Sequence, residues 1–257
     1  KGLLDQQLLP AEHILASDVR AERGEELARQ YGVRTTQDNC QAARFGDIVI
    51  FAVKPQFMGE VLEQLDGGLL QPEALALSIV AGVTIARLSR GLKHDAIVRV
   101  MPNTPAQVRM GMSVWTATPT TTERQRGQAR TILEALGEEL YVNHEDYLDM
   151  ATALSGTGPA YIFLVMEALI DAGVHMGFSR RVAEQLVIQT MRGSVEFARQ
   201  SHLHPAVLRN MVTSPGGTSA EAIYQLEKGG LRTVISKAVW AAYQKSRYLG
   251  GLSNDNG

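Results

Sequence analysis

From residue 13 to residue 143 short apolar runs alternate with segments whose apolar residues recur at helical spacing. "HILAS" (13–17) is followed by "VRAERGEELARQYG" (19–32), which sets Leu27, Ala28 and Tyr31 on one face and stops at Gly32. "DNCQAARFG" predicts a short helix, and "DIVIFAV" (47–53) a strand buried on both faces. "PQFMGEVLEQL" opens with Pro55 at a first helical position, where its missing N–H is harmless. "ALALSIV" (74–80), "AIVRVMP" (96–102), "GMSVWTA" (111–117) and "ELYVN" (139–143) predict further strands. "TIARLSRGL" and "TERQRGQARTILEALG" predict helices between them. This alternation predicts an α/β fold: a mostly parallel, Rossmann-like sheet with helices on both faces.

After about residue 144 the strand patterns stop. "GPAYIFLVMEALIDAGVHMG" (158–177), "RRVAEQLVIQTMRGSVEFARQ" (180–200), "PAVLRNMV", "SAEAIYQLEKGG" and "LRTVISKAVWAAYQKSRYLGG" predict an all-helical half. The expected division is 1–144, dinucleotide-binding, and 145–257, helical, with a frayed tail "SNDNG". Val182, Leu186, Val187, Met191 and Val195 spread over an arc wider than one small bundle needs. That excess predicts a dimer interface; the plainer reading is an ordinary bundle core.

The net charge of −2, with no run of like charges, gives no electrostatic grip for nucleic acid. Hydrophobic residues make up 45%, yet no run approaches the roughly 18 needed to span a membrane. The most apolar helix carries Glu167 and Asp171. One cysteine, Cys40, allows no internal disulfide, and a cytoplasmic protein is expected. Cys and His lack zinc spacing, so no metal is expected; His202 and His204 read as a loop.

Ligands of such sheets bind at the carboxyl ends of the strands. After "HILAS", Asp18 suits a ribose 2′-hydroxyl, whereas Arg20 suits a 2′-phosphate; Ser17 or Asp18 could equally cap a helix. The exits Ala52-Val53-Lys54-Pro55 and Ala81-Gly82-Val83 are small or rigid, which lets a flat ligand approach the backbone, although an exposed lysine is usually only solvated. Prolines flank Asn103 and Thr104 in "MPNTP" and stiffen a polar hook, so Asn103 is expected to line the cofactor crevice with the other strand exits. The usual G-x-G-x-x-G is absent, and "KGLLDQQLLP" reads as the end of the helix that should follow that loop. "TSPGGTSAEAI" (213–223) reads either as a turn with a helix cap or as backbone amides gathered for an anion.

"AVKPQ", "SIVAGVT", "RVMPNTP", "ALSGTGPAY" and "VTSPGGTSAEAI", in this order, resemble pyrroline-5-carboxylate reductase. The resemblance runs from about Ser17 to Leu249, and the pattern around Gly216-Gly217-Thr218 is its most specific part. It implies reduction of 1-pyrroline-5-carboxylate to L-proline, the last step of proline synthesis, with NADPH or alternatively NADH. It also implies a homodimer, often assembled further. By the resemblance Ser17, Asn39, Ala52–Pro55 and Ala81–Val83 line the dinucleotide. Ser214, Gly216, Gly217, Thr218 and Ser219 hold the substrate, with the Ser219 hydroxyl on the ring nitrogen and Thr218 beside it. Ser219 replaces a threonine common in the family, and Met211 replaces a polar residue. The competing readings are another two-domain NAD(P) oxidoreductase, acting on a related imine or a hydroxyacid, and an inactive dimeric paralogue. A hydroxyacid enzyme needs a lysine base on the first long helix of its second domain, where this chain has none.

Overall fold

The computed structural model describes residues 1–66 and 68–255, with side chains as far as residue 251. It divides into two compact units. The first joins Lys1–Gly158 to the end of the chain from Ala241, and the second is Pro159–Trp240.

In the first unit a one-turn helix α1 (Gly2–Asp5) precedes β1 (Leu15–Ser17), α2 (Ala21–Tyr31) and β2 (Arg34–Thr36). Strands β1 and β2 form a parallel pair by themselves. Next come α3 (Asn39–Phe45), β3 (Ile48–Phe51), α4 (Met58–Gln64), β4 (Leu75–Ser78), α5 (Ile85–Leu92) and β5 (Ile97–Met101). Then follow β6 (Gly111–Ala117), α6 (Glu123–Glu134), β7 (Gly137–Tyr141) and α7 (Asp146–Ala151). Strands β3 to β7 lie side by side in chain order.

The helix signals act as expected. Gly32 closes α2 in the left-handed conformation, at φ 69°. Asp38 caps α3 by accepting from Cys40 N and Gln41 N, and Thr122 and Gln125 form a capping box at α6. Pro55 opens a 3-10 turn rather than α4 itself, so the α-helix starts three residues later, at Met58.

Both faces of the larger sheet are covered. Leu75, Leu77, Val98 and Val100 pack with Trp115 and with Ala129 and Leu133 of α6. Phe51, Ala76 and Ile97 pack on the other face with Met58, Leu62, Leu88 and Leu92. Burying each of the larger side chains contributes about 2 kcal/mol.

The larger sheet is mostly parallel, as expected, with one antiparallel pair and one strand less buried than expected. β6 runs antiparallel to β5. Only residues 102–110 connect them, too few for a crossover, so the chain turns straight back. Helix α6 supplies the next crossover, and β7 is parallel to β6. Strand β3 is not buried on both faces: Ile48 and Val49 are half-buried and Ile50 is exposed. Among the described residues it pairs only with β4.

A π-helical turn, Thr152–Gly156, links α7 to α8 (Gly158–His175). The second unit continues with α9 (Arg180–Ser201), α10 (Pro205–Met211) and α11 (Thr218–Lys228). α12 (Leu231–Asp255) begins there and ends in the first unit. The expected frayed tail is therefore helical as far as Asp255, and 256–257 lie outside the described residues. Between residues 159 and 240 only Gly173 and Ala183 are buried. Phe163, Leu164, Leu186 and Val195 are all about half exposed or more. The helical run Asp146–His175 is long and apolar enough to cross a membrane by length and composition alone, although Glu167 and Asp171 interrupt its apolar stretch.

Candidate active site

The sequence-predicted residues fall into two groups, one in each unit. In the first unit the carboxyl ends of β1 and β3 to β5 carry the residues expected at a dinucleotide. Ser17 Oγ donates to Asn39 Oδ1 at 2.8 Å, and Asn39 Nδ2 donates to Gln64 Oε1 at 2.7 Å. This chain ties β1 to the start of α3 and the end of α4. Ala52, Val53, Lys54 and Pro55 are all exposed beyond β3. The Ala81–Val83 turn is mostly buried; Gly82 has φ +71°, and a Cβ there would sit 3.4 Å from Leu249 Cβ. Glycine relieves both the backbone and the packing at that point.

The rival signals at β1 bind each other. Arg20 Nε and Nη2 donate to the two carboxylate oxygens of Asp18 at 3.2 and 3.3 Å, and Arg20 N adds a third bond at 3.0 Å. These bonds hold the Asp18 carboxyl below its ordinary range and raise the Arg20 guanidinium above its own. Asp18 therefore acts as a local partner for Arg20 and caps no helix: α2 starts after Arg20, without a side-chain cap.

Asn103 is a clasp. Its Nδ2 donates to Ser155 O at 3.1 Å, and its Oδ1 accepts from Met112 N at 2.9 Å. It joins the exit of β5 to the π-helical turn and to β6. The "RVMPNTP" and "ALSGTGPAY" segments thus meet, and a Cβ on Gly156 would collide with Met101 Cε at 2.5 Å.

In the second unit α10 leads into the Thr213–Ser219 loop. Thr213 Oγ1 donates to Arg209 O at 2.7 Å, closing the end of α10. Gly216 turns the chain at φ +69°. Gly217 N donates to Ser214 O at 3.1 Å, and a Cβ on Gly217 would stand 2.5 Å from Ser214 Oγ. The Gly217 amide is therefore spent inside the loop. The amides and hydroxyls of Thr218 and Ser219 have no hydrogen bond among the described residues. Thr218 is exposed and Ser219 half-buried. Two free amides at the start of an 11-residue helix form an anion-accepting end. Met211 is 61% exposed on α10 and offers no polar group.

Residues 145–249 match the family model described as pyrroline-5-carboxylate reductase dimerisation, and residues 1–82 match that of NADP oxidoreductase coenzyme F420-dependent. A pyrroline-5-carboxylate reductase of Synechocystis sp. is 40% identical over 248 residues, 96% of this chain and 92% of the relative. The chain belongs to the pyrroline-5-carboxylate reductase family.

Solved structures of this family match the whole fold. The Coxiella burnetii pyrroline-5-carboxylate reductase gives a TM-score of 0.87 at 38% identity, over 96% of this chain and 92% of that one. The Plasmodium falciparum pyrroline carboxylate reductase, solved with NADP bound, gives 0.88 at 32% identity, over 97% and 92%.

The residue-by-residue reading missed two polar groups near the family's expected dinucleotide edge, Arg99 and Gln64. Arg99, in the middle of β5, is 5% exposed and pairs with Glu145. A charge inside the apolar run "AIVRV" was its visible signal. Gln64, which holds Asn39, gave none, because a glutamine near a helix end is ordinary.

Proposed function

We propose that this protein reduces 1-pyrroline-5-carboxylate to L-proline with NADPH, as a homodimer. The observation that carries the chemistry is the pair of uncommitted amides and hydroxyls at Thr218 and Ser219. A cyclic imine bearing a carboxylate needs an anion site and a group that orients its ring nitrogen. The helix end supplies the first through the Thr218 and Ser219 amides. The Ser219 hydroxyl supplies the second by hydrogen-bonding the ring nitrogen. The Thr218 hydroxyl adds a further donor beside the carboxylate. A protonated imine already attracts hydride, so the site needs no strong side-chain acid. Placement is the protein's main contribution, and it can be worth about 7–11 kcal/mol in the best cases.

The first unit fits a nicotinamide dinucleotide at the sheet edge. Gly82 lets the Ala81–Val83 turn pack tightly against Leu249 at the strand end, and the exits Ala52–Pro55 remain exposed. Ser17 and Asn39 would hold the adenosine end, and Ala52–Pro55 with Ala81–Val83 would face the rest. When bound, the reduced nicotinamide supplies the hydride. Asp18 has both oxygens occupied by Arg20, while the Arg20 side chain stays 68% exposed. That favours a 2′-phosphate over a bare 2′-hydroxyl, hence NADPH over NADH.

The almost coreless second unit supports the dimer. Its exposed Phe163, Leu164, Leu186 and Val195 need a partner surface. A second copy covering them also accounts for the apolar α8 in a cytoplasmic enzyme. The deciding experiment incubates the purified protein with 1-pyrroline-5-carboxylate and NADPH and measures proline formed per nucleotide oxidised. A one-to-one ratio is expected; oxidation without proline, or neither, overturns the reading.

A further inference from the structure

Arg99 is out of place by the rules that shape the rest of β5. It stands between Val98 and Val100, both 2% exposed or less, and pairs in register with Ser78 of β4 and Thr116 of β6. Its guanidinium Nη1 donates to Glu145 Oε1 at 2.5 Å. The same oxygen accepts from Ile85 N at 2.8 Å. Ile85 N is the first amide of α5, one of the donors that a helix leaves unpaired. Thr84 Oγ1 takes another, from Arg87 N at 3.3 Å.

Stability alone does not account for this arrangement. Arg99 is buried while the Glu145 side chain stays 29% exposed, so the pair costs chiefly the desolvation of the guanidinium, and a buried charge is often matched or bettered by an apolar side chain of the same volume. What the pair does is local. It places one carboxylate oxygen on the residue that ends the Ala81–Thr84 turn. The same turn is anchored on its apolar side by Val83, 1% exposed in the core cluster. Its outer side rests on Leu249 near the end of α12. Core packing fixes how deep the turn lies, and Glu145 fixes where α5 begins, hence the course of the backbone between them.

The geometry points to Arg99 and Glu145 as positioning residues that hold the Ala81–Val83 turn in its nucleotide-accepting course. Arg99 orients the Glu145 carboxylate, and Glu145 holds Ile85 N. Neither has to touch nucleotide or substrate. This inference rests on the proposed function only in naming what the turn accepts.

The test uses the full-length protein carrying Arg99→Met with Glu145→Met, which removes both charges together, leaves neither unpaired and takes the acceptor away from Ile85 N. A second variant, Glu145→Asp, keeps the charge for Arg99 but withdraws the carboxylate from Ile85. Three quantities are measured: amide exchange of residues 79–88 without nucleotide, the NADP+ dissociation constant by calorimetry, and kcat and KM for the imine. Both variants are expected to melt close to the unsubstituted protein. Exchange at Val83–Ile85 should accelerate and NADP+ should bind roughly tenfold more weakly. Turnover should fall roughly ten- to a hundredfold, the scale for a reactant slightly misplaced, with KM for the imine little changed. Unchanged exchange and nucleotide affinity in both variants overturn the proposal and leave the pair a packing element. If the unsubstituted protein makes no proline, the proposed function fails; the exchange measurement still decides the role of the pair.

Discussion

Asn103 and Ser155, fifty-two positions apart in the chain, are joined by one hydrogen bond of 3.1 Å from the Asn103 amide to the Ser155 carbonyl. The other end of that amide accepts from Met112 N. A single side chain thus bridges the exit of β5, the π-helical turn and the antiparallel β6. Asn103→Ala leaves a carbonyl and an N–H unpaired in half-buried surroundings. It should cost about 1–3 kcal/mol of stability. Urea denaturation checks this, and a loss below about 0.5 kcal/mol would show that water replaces the clasp without penalty.

The Asp18–Arg20 pair makes a prediction about nucleotide choice. Arg20→Ala should weaken NADPH binding about tenfold or more and leave NADH nearly unchanged, since a charge-assisted hydrogen bond to phosphate is worth about 1.5–3 kcal/mol. Equal losses for both nucleotides would place Arg20 away from the 2′-position.

The same pair carries a pH prediction. Arg20 holds the Asp18 carboxyl below its ordinary range, first through the side-chain hydrogen bond. What the pair adds to stability is fully present above the unfolded value, about 3.9, and is lost as pH falls through the lowered folded value. Near neutrality Asp18 does not titrate. A 2′-phosphate does, with its second proton near about pH 6. NADPH affinity should therefore decline below about pH 6 because the nucleotide loses charge. The decline should persist in Asp18→Asn, as followed by nucleotide fluorescence; its disappearance would assign the titration to Asp18.

Much of this was legible in the sequence for a stated physical reason. Strand β4 and α5 were marked by apolar runs, and their ends by Thr84 and by small residues at 81–83. The antiparallel turn into β6 was not read from the sequence, although no helical segment of crossover length separates "AIVRVMP" from "GMSVWTA". A parallel return needs such a crossover, and the run of βα units before it obscured its absence. The Thr213–Ser219 loop lay between these cases. Its glycines announced a turn, but only coordinates show that Gly217 N is spent on Ser214 and that Thr218 and Ser219 are not.

The second unit predicts obligate association. Phe163→Asp together with Val195→Asp places charges where the side chains are 60% and 69% exposed. In a monomer such changes cost little, because exposed positions tolerate charge. In a dimer whose apolar faces meet there, the protein should become monomeric or insoluble and melt well below the unsubstituted form. Light scattering and thermal unfolding separate the outcomes. An unchanged mass would move the interface elsewhere.

The start of α11 gives the most local prediction. Ser219→Ala keeps the helix and its two free amides, so the carboxylate should still bind. It removes only the hydroxyl assigned to the ring nitrogen. One hydrogen bond to a charged group is worth about 1.5–3 kcal/mol, so kcat should drop roughly tenfold to a hundredfold with a smaller change in KM. Ser219→Thr keeps the hydroxyl and adds a methyl that narrows its rotamers, so it should retain turnover. Gly216→Ala separates the anion site from the hydroxyl. Open space surrounds Gly216, but its φ is +69°, a left-handed course that costs a side chain about 1–2 kcal/mol. The strain falls on the loop that sets the two amides, so KM should rise before kcat falls. Steady-state kinetics on the three variants should therefore give three different patterns. If Ser219→Ala and Gly216→Ala change KM and kcat alike, the hydroxyl has no role apart from the loop, and the ring nitrogen is oriented by another group.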